Sequence, residues 1–204
     1  GIPTDCPHRE KNGWTADAHG AAEAGLYNFD IAAFYERWLD SFEDEQRPNG
    51  KIPAIIPSSG WGYQWGNGPY WDSAWVILAF YQYKWYGDIS TLEKHYGSLK
   101  DYMNYLSQHE GVGEVKDTIQ LGLPDWATWK TDTPARLTDT AIYYYDAKIM
   151  AAAARIMGRK DDKMSFEALA NRLKGGFQSV FMKNSTSVGE NSQTSLSCAL
   201  YYGL

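Results

Sequence analysis

Apolar positions along the chain recur mostly with the 3.6-residue period of an α-helix, whereas the two-residue alternation typical of strands is scarce. This pattern predicts an all-α protein with seven helical stretches. They are expected at about 16–27, 30–46, 70–86, from 90, 134–157, 161–181 and from 194.

The helical stretches alternate in how their apolar residues are distributed. The even-numbered stretches each carry one apolar stripe, whereas the odd-numbered ones are apolar or small on nearly every side. In the second stretch the stripe consists of Ile31, Phe34, Tyr35, Trp38, Leu39 and Phe42. A striped helix lies on the outside of a fold, and a helix apolar all round lies inside. The alternation therefore predicts a double ring of α/α hairpins, because in a plain four-helix bundle every helix would carry one apolar stripe.

The connections between the helices also alternate in length. Those at about 47–69, 110–133 and 182–193 are long, and the others are short. In an up-and-down arrangement all the long connections emerge at one end, together with residues 1–15. Long aromatic and glycine-rich loops on a rigid scaffold are where binding sites occur, so this rim is the expected site.

Composition narrows the classes of ligand. The chain has nine Trp, fifteen Tyr and seven Phe, whose rings can stack on the apolar faces of sugars or fill a Trp-rich core. The formal net charge is −6 and no basic stripe accompanies the aromatics, so we expect no nucleic-acid partner. The chain contains no run of about 18 apolar residues, so we expect no segment that spans a membrane. Cys6 and Cys198 allow one disulfide at most. The composition does not indicate a cellular compartment.

The first candidate site is the segment 5–17, which holds three carboxylates, Asp5, Glu10 and Asp17, beside Arg9 and Trp14. Glycosidases need a protonated acid at the leaving oxygen and a second carboxylate across the sugar. Clustered carboxylates raise the pKa of one of their number, which suits such an acid. Arg9 could keep a neighbouring carboxylate ionised or bind sugar hydroxyls. The alternative is a solvated segment in which Asp17 favours a helix N-terminus.

Two further loops repeat the pairing of carboxylates with indoles. The loop 61–72 offers Trp65 for stacking and Asp72 as a hydroxyl acceptor, or else it is a loop packed by its own rings. The loop 123–132 offers Asp125 and Trp126, and Asp132 is expected to cap the fifth helix.

The remaining polar residues predict no cofactor. The four histidines show no metal-ligand spacing, and His95 and His109 are expected at the surface of an outer helix. No glycine-rich loop of the phosphate-binding kind occurs.

The segment Asp5-Cys6-Pro7-His8-Arg9-Glu10, followed by Gly13-Trp14-Thr15-Ala16-Asp17-Ala18, resembles the signature of bacterial α-L-rhamnosidases of glycoside hydrolase family 78. Weaker similarities continue at Trp71-Asp72-Ser73-Ala74, Asp125-Trp126 and Ser192-Gln193-Thr194. The similarity therefore covers nearly the whole chain. Ala16 and Pro124 depart from the glycines that are usual in the family at these positions.

The resemblance implies an inverting hydrolase on an (α/α)6 barrel that needs no cofactor and acts on a carbohydrate with terminal rhamnose. It implies that Glu10 is the general acid. The residues implied to line the sugar pocket are Asp5, Arg9, Trp14, Asp17, Asp72 and Trp126. Asp5 and Asp17 are expected to help keep Glu10 protonated. The resemblance to this family favours a periplasmic or secreted protein.

The resemblance also implies a base glutamate downstream of Leu204, with Glu190 as an alternative, and twelve helices in a closed ring. We therefore expect residues 1–204 to be a single domain that forms the N-terminal part of a barrel, inactive and prone to self-association when isolated. The alternatives are a trehalase-like or glucoamylase-like hydrolase, a non-catalytic carbohydrate-binding module, or a purely structural helical toroid.

Overall fold

The computed structural model describes residues 1–129 and 133–204, and helices dominate it. The helices are α1 (Thr15–Asn28), α2 (Ala32–Glu45), α3 (Pro69–Asp72), α4 (Ala74–Tyr86), α5 (Ser90–Ser107), α6 (Ala135–Ile156), α7 (Lys160–Phe181) and α8 (Gln193–Tyr202). All seven predicted stretches are present. The third is split at Ser73, which has φ −60° and ψ −12° and separates α3 from α4.

The first of two compact units comprises residues 1–67 and 71–105. In it α4 packs against both α1 and α2. Trp38 and Trp75 are fully buried there, and Trp38 Nε1 donates a hydrogen bond to the Ile56 carbonyl at 2.9 Å. Residues 74–79 of α4 are all buried, which confirms that this helix is covered on nearly every side.

Helix α5 carries the main error of the sequence-based prediction in this unit. His95, expected at the surface, is fully buried. Its Nδ1 lies 3.0 Å from Glu43 Oε2, and its Nε2 lies 3.4 Å from Asp40 Oδ1, so both ring nitrogens face carboxylates of α2. A polar residue on the inward side of α5 is tolerated because Glu43 of α2 supplies Nδ1 with a hydrogen-bond partner, whereas Nε2 makes only the longer contact with Asp40.

The second unit comprises residues 68–70 and 106–204. Here α6 packs along α7 and against α8, and most of its residues are buried, as predicted for an inner helix. The buried stripe of α7 runs through Phe166, Ala170, Leu173, Phe177 and Phe181, whereas Val180 is exposed. The predicted loop after α7 contains a short antiparallel pair, β1 (Met182–Asn184) and β2 (Ser187–Val188).

The alternation of inner and outer helices holds best in the middle of the chain. Helix α1 buries only one side, and in α8 the side chains of Leu200 and Tyr201 are 84% and 66% exposed. Within the described ranges, none of the helices is long and apolar enough to cross a membrane. The expected helix cap, Asp132, lies outside the described residues.

Candidate functional site

The segment 5–12 folds back on itself through backbone hydrogen bonds. The Asp5 amide donates to the Asn12 carbonyl at 3.0 Å, and the Asn12 amide donates to Asp5 Oδ1 at 2.9 Å. The amides of Arg9 and Lys11 both donate to the Cys6 carbonyl. These bonds close a tight loop that holds Asp5 beside the residues that follow.

Residues 13–15 then pair with residues 54–56, which fixes the base of Trp14. The Ile56 amide donates to the Gly13 carbonyl at 2.9 Å, and the Thr15 amide donates to the Ala54 carbonyl at 3.0 Å. A Cβ at Gly13 would lie 2.2 Å from the Ile56 carbonyl oxygen, so only glycine permits this approach. The motif's glycine is therefore explained by backbone packing.

Glu10 has a partner for each carboxylate oxygen. Its Oε2 accepts a hydrogen bond from Trp14 Nε1 at 2.8 Å, and its Oε1 lies 2.8 Å from Arg9 Nη2 in an ion pair. The Glu10 side chain is 29% exposed, whereas that of Arg9 is 63% exposed. Glu10 is thus half-buried, oriented by the Trp14 indole and paired with an exposed cation.

The two aspartates beside Glu10 have pKa values shifted in opposite directions. Burial raises the pKa of Asp17, its own backbone amide opposes this, and the charges of Asp5 and Glu10 raise it further. For Asp5, partial burial works to raise the pKa, but hydrogen bonds from the Cys6 thiol, the amides of Cys6 and Asn12, and Glu10 together lower it. Carboxyls with such divergent pKa values are typical of acid–base sites.

Two exposed indoles continue the site on the far side of Trp14. The Trp61 ring centroid lies 6.1 Å from that of Trp14 and 6.4 Å from that of Trp65, and the planes of Trp61 and Trp65 differ by 22°. Trp61 and Trp65 are 47% and 45% exposed. We call this pair the indole platform. Sequence reasoning selected Trp65 but missed Trp61, although both lie in the same glycine-rich loop.

The loop that carries the indole platform is anchored despite its glycines. The Tyr63 hydroxyl donates to the Glu45 carbonyl at 2.6 Å, and the Arg47 guanidinium lies 4.1 Å from the centroid of the Tyr63 ring. Asn67 Nδ2 donates to the Ile52 carbonyl at 2.6 Å. Gly66 lies against the Trp14 ring, since a Cβ there would be 2.7 Å from Trp14 Cζ3.

Asp72, predicted to accept hydrogen bonds from sugar hydroxyls, is fully buried in the same unit. It lies near Tyr105, whose pKa is raised to about 12 by burial and then by the Asp72 charge. In this structure the carboxylate is not presented to solvent, so its contact with a sugar stays a prediction.

Asp125 and Trp126 belong to the second unit. Trp126 is 68% exposed, in a loop where Ala127 has a positive φ of 51°. Cys198 is buried in this unit, and its pKa is raised to about 12 by burial and then by the Asp125 charge. Cys6 and Cys198 are both free thiols. Outside the undescribed residues 130–132, no group of three or more His, Cys, Asp or Glu side chains is placed to hold a metal ion.

The structure thus brings together five of the predicted site residues, Asp5, Arg9, Glu10, Trp14 and Asp17, and sets Trp65 next to them through Trp61. Sequence reasoning did not identify Cys6 and Asn12 as hydrogen-bond partners of Asp5. Only the loop geometry reveals these contacts.

Comparison with known proteins gives consistent relatives. An α-L-rhamnosidase of Formosa agariphila is 30% identical over 199 residues, covering 90% of this chain and 20% of that protein. The solved α-L-rhamnosidase from Dictyoglumus thermophilum matches with a TM-score of 0.88 and 31% identity, over 99% of this chain and 23% of that one. The Streptomyces avermitilis α-L-rhamnosidase, solved with L-rhamnose, matches with a TM-score of 0.87 and 26% identity, over 99% and 19%.

The chain spans only about a fifth of the length of these relatives. The model of the bacterial α-L-rhamnosidase six-hairpin glycosidase domain matches residues 1–204 in full. The match confirms the all-α class predicted from the helical pattern and the (α/α)6 barrel implied by the resemblance. On these grounds, the chain belongs to the family of bacterial α-L-rhamnosidase six-hairpin glycosidase domains.

Proposed function

We propose that the full-length protein carrying this chain removes terminal α-L-rhamnose from glycosides by an inverting acid–base mechanism, with Glu10 as the general acid. The observation that carries the proposal is the environment of Glu10. It is a half-buried carboxyl, hydrogen-bonded to Trp14, ion-paired with Arg9 and flanked by two further carboxylates, in a chain of a glycosidase family.

The hydrogen bond from Trp14 supports this role, because it orients the Glu10 carboxyl through Oε2 and leaves Oε1 to the exposed Arg9. That other oxygen pairs with Arg9, whose exposed side chain can move to a sugar hydroxyl as substrate enters. Protonated Glu10 then gives its proton to the glycosidic oxygen while the bond from that oxygen to the sugar breaks. A water activated by a base carboxylate on the opposite face attacks the anomeric carbon, which inverts it.

The flanking groups suit recognition of a polyhydroxylated ring. Asp5 and Asp17 offer acceptors for sugar hydroxyls, and Arg9 offers donors. Trp14 supplies a flat apolar wall. Trp65 and Trp126 are proposed as further rings that contact the substrate, and Asp72 and Asp125 as further polar ligands. Glu190 is exposed in the loop after β2. No contact of Glu190 supports it as the base.

Hydrolysis of 4-nitrophenyl glycosides by the full-length protein tests the function. We expect release of nitrophenol from the α-L-rhamnoside in preference to a panel of other sugars. Cleavage of another glycoside alone would keep the general acid but change the sugar. Failure on every member of the panel would contradict the hydrolase proposal and favour a non-catalytic carbohydrate-binding module.

A further inference from the structure

The indole platform, Trp61 and Trp65, is not explained by binding of the rhamnosyl unit alone. We infer that it is the binding surface for the leaving group, and that this group begins with a ring that has a flat apolar face, such as a second sugar or an aromatic ring. This inference rests on the proposed function of Glu10.

The two ends of the Trp14 indole face chemically different surroundings. Its Nε1 edge donates to Glu10, and the acceptors Asp5 and Asp17 are grouped around that carboxylate. Its six-membered ring lies against Gly66 at the base of the platform loop. Hydroxyl acceptors are therefore concentrated on one side of Trp14, and apolar faces on the other.

This division indicates where each half of a glycoside, the rhamnosyl unit and the leaving group, would bind. A rhamnosyl unit carries three free hydroxyls and is satisfied by the carboxylates and Arg9. The acid must reach the oxygen that links the two halves, so the leaving group lies next to Glu10 and away from the hydroxyl acceptors. The surface continuous with Glu10 through Trp14 is the indole platform.

The platform is also built as a rigid surface. Trp61 and Trp65 are each nearly half exposed, and contiguous exposed apolar surface is typical of ligand-binding grooves. The loop that carries them is anchored at neighbouring residues, through Tyr63 on Glu45, Arg47 on Tyr63 and Asn67 on Ile52. A pre-ordered aromatic surface binds a ring at little entropic cost.

The test compares three rhamnosides with the full-length enzyme: methyl α-L-rhamnoside, benzyl α-L-rhamnoside and a rhamnosyl-glucose disaccharide. Methyl and benzyl alcohols are both poor leaving groups, so their ratio of kcat/KM reports ring binding. In Trp61→Ala and Trp65→Ala we expect this ratio to fall roughly 3- to 10-fold, the usual value of one aromatic contact. The disaccharide-to-methyl ratio shows whether a sugar ring uses the platform as well.

Phe29→Ala is the matched control, because Phe29 is an exposed aromatic (69%) on the same unit away from Glu10. It should leave all the ratios unchanged. Trp61→Phe keeps a flat ring and should recover most of the preference. Inhibition by free L-rhamnose should not change in any of these variants.

Equal losses on all three substrates, with weaker inhibition by L-rhamnose, would overturn the inference, because the platform would then hold the rhamnosyl unit. Unchanged ratios in both alanine variants would also overturn it. A wild-type enzyme that cleaves none of the rhamnosides refutes the proposed function itself, and the inference falls with it.

Discussion

Glu10 is held by two neighbours that differ in their surroundings, and this difference shapes the expected chemistry. Trp14 is fixed by backbone pairing at both of its flanks, whereas Arg9 is largely exposed. The sequence identified these residues through a short motif. It could not reveal that Trp14 Nε1, rather than another carboxylate, orients the acid, because that contact depends on the pairing of residues 13–15 with a segment forty residues later.

Glu10→Gln in the full-length enzyme removes the transferable proton and keeps the shape of the side chain. We expect kcat/KM for methyl α-L-rhamnoside to fall about 10²–10⁴-fold, with a smaller loss for a nitrophenyl leaving group that needs little protonation. Steady-state kinetics on both substrates measures this. Glu23→Gln, on a surface carboxylate paired with Lys84 at 3.0 Å, is the control. Equal losses on the two substrates in Glu10→Gln would contradict the role of general acid.

Asp5 and Asp17 should have opposite effects on stability. The raised pKa of Asp17 means that folding favours its protonated form, so its contribution is present in acid and is lost as pH rises through the folded-state pKa. The lowered pKa of Asp5 means that its contribution is present at neutral pH and is lost as pH falls through the folded-state pKa.

At pH 7 we therefore expect Asp17→Asn to raise the melting temperature and Asp5→Asn to lower it, each on the order of 1 °C because both sites are partly solvated. Both differences should shrink below about pH 4, where aspartates protonate in the unfolded chain as well. Melting curves at several pH values test this. Shifts of the same sign at pH 7 would contradict the assignment, and both variants should lose activity.

At the scale of elements, the helical pattern predicts features that follow from sequence periodicity, such as helices buried on every side. It does not predict features that depend on contacts with other elements. The long stretches of α4 and α6 were predicted because uniform burial leaves a uniform apolar sequence. The burial of His95 was missed because its partners, Glu43 and Asp40, lie on another helix. The strand pair after α7 was missed because it is too short for a period to show.

His95→Ala should destabilise the protein by about 2–4 kcal/mol, because it leaves a cavity between α2 and α5 and removes the partner of Glu43. Thermal unfolding of the full-length protein measures the loss. Lys163→Ala, which breaks only the surface pair with Glu167, should change stability by less than about 1 kcal/mol. A His95→Ala variant as stable as Lys163→Ala would contradict the buried bridge.

The platform loop offers a matched pair of glycines. Gly62 and Gly66 have positive φ values of 69° and 71°, so alanine should cost about 1 kcal/mol of stability at either position. Only at Gly66 would the new Cβ meet the Trp14 ring, at 2.7 Å, whereas nothing lies within 4 Å at Gly62.

Because Trp14 orients Glu10, we expect Gly66→Ala to lower kcat/KM for rhamnosides by about 10- to 100-fold, and Gly62→Ala to change it little. Kinetics at a temperature where both variants are folded separates the two effects. Equal activities in the two variants would show that Trp14 adjusts without moving the acid.

At the scale of the whole molecule, the family is established by a match over residues 1–204. Residues 1–204 cover about a fifth of the relatives, so the single-domain interpretation, the position of the base and the self-association of an isolated chain stay predictions. In the proposed mechanism, Glu10 supplies the acid of an acid–base pair. The stereochemical outcome of the reaction reports the other half, because it depends on the distance between the two.

The most direct test of the account follows the anomeric protons of released rhamnose by NMR during the first minutes of hydrolysis of an α-L-rhamnoside by the full-length enzyme. The account predicts that β-L-rhamnose appears first and then mutarotates, and that Glu10→Gln abolishes this burst for substrates with poor leaving groups. Initial release of α-L-rhamnose would contradict the inverting mechanism. An undiminished β burst in Glu10→Gln would contradict the role of Glu10 as general acid.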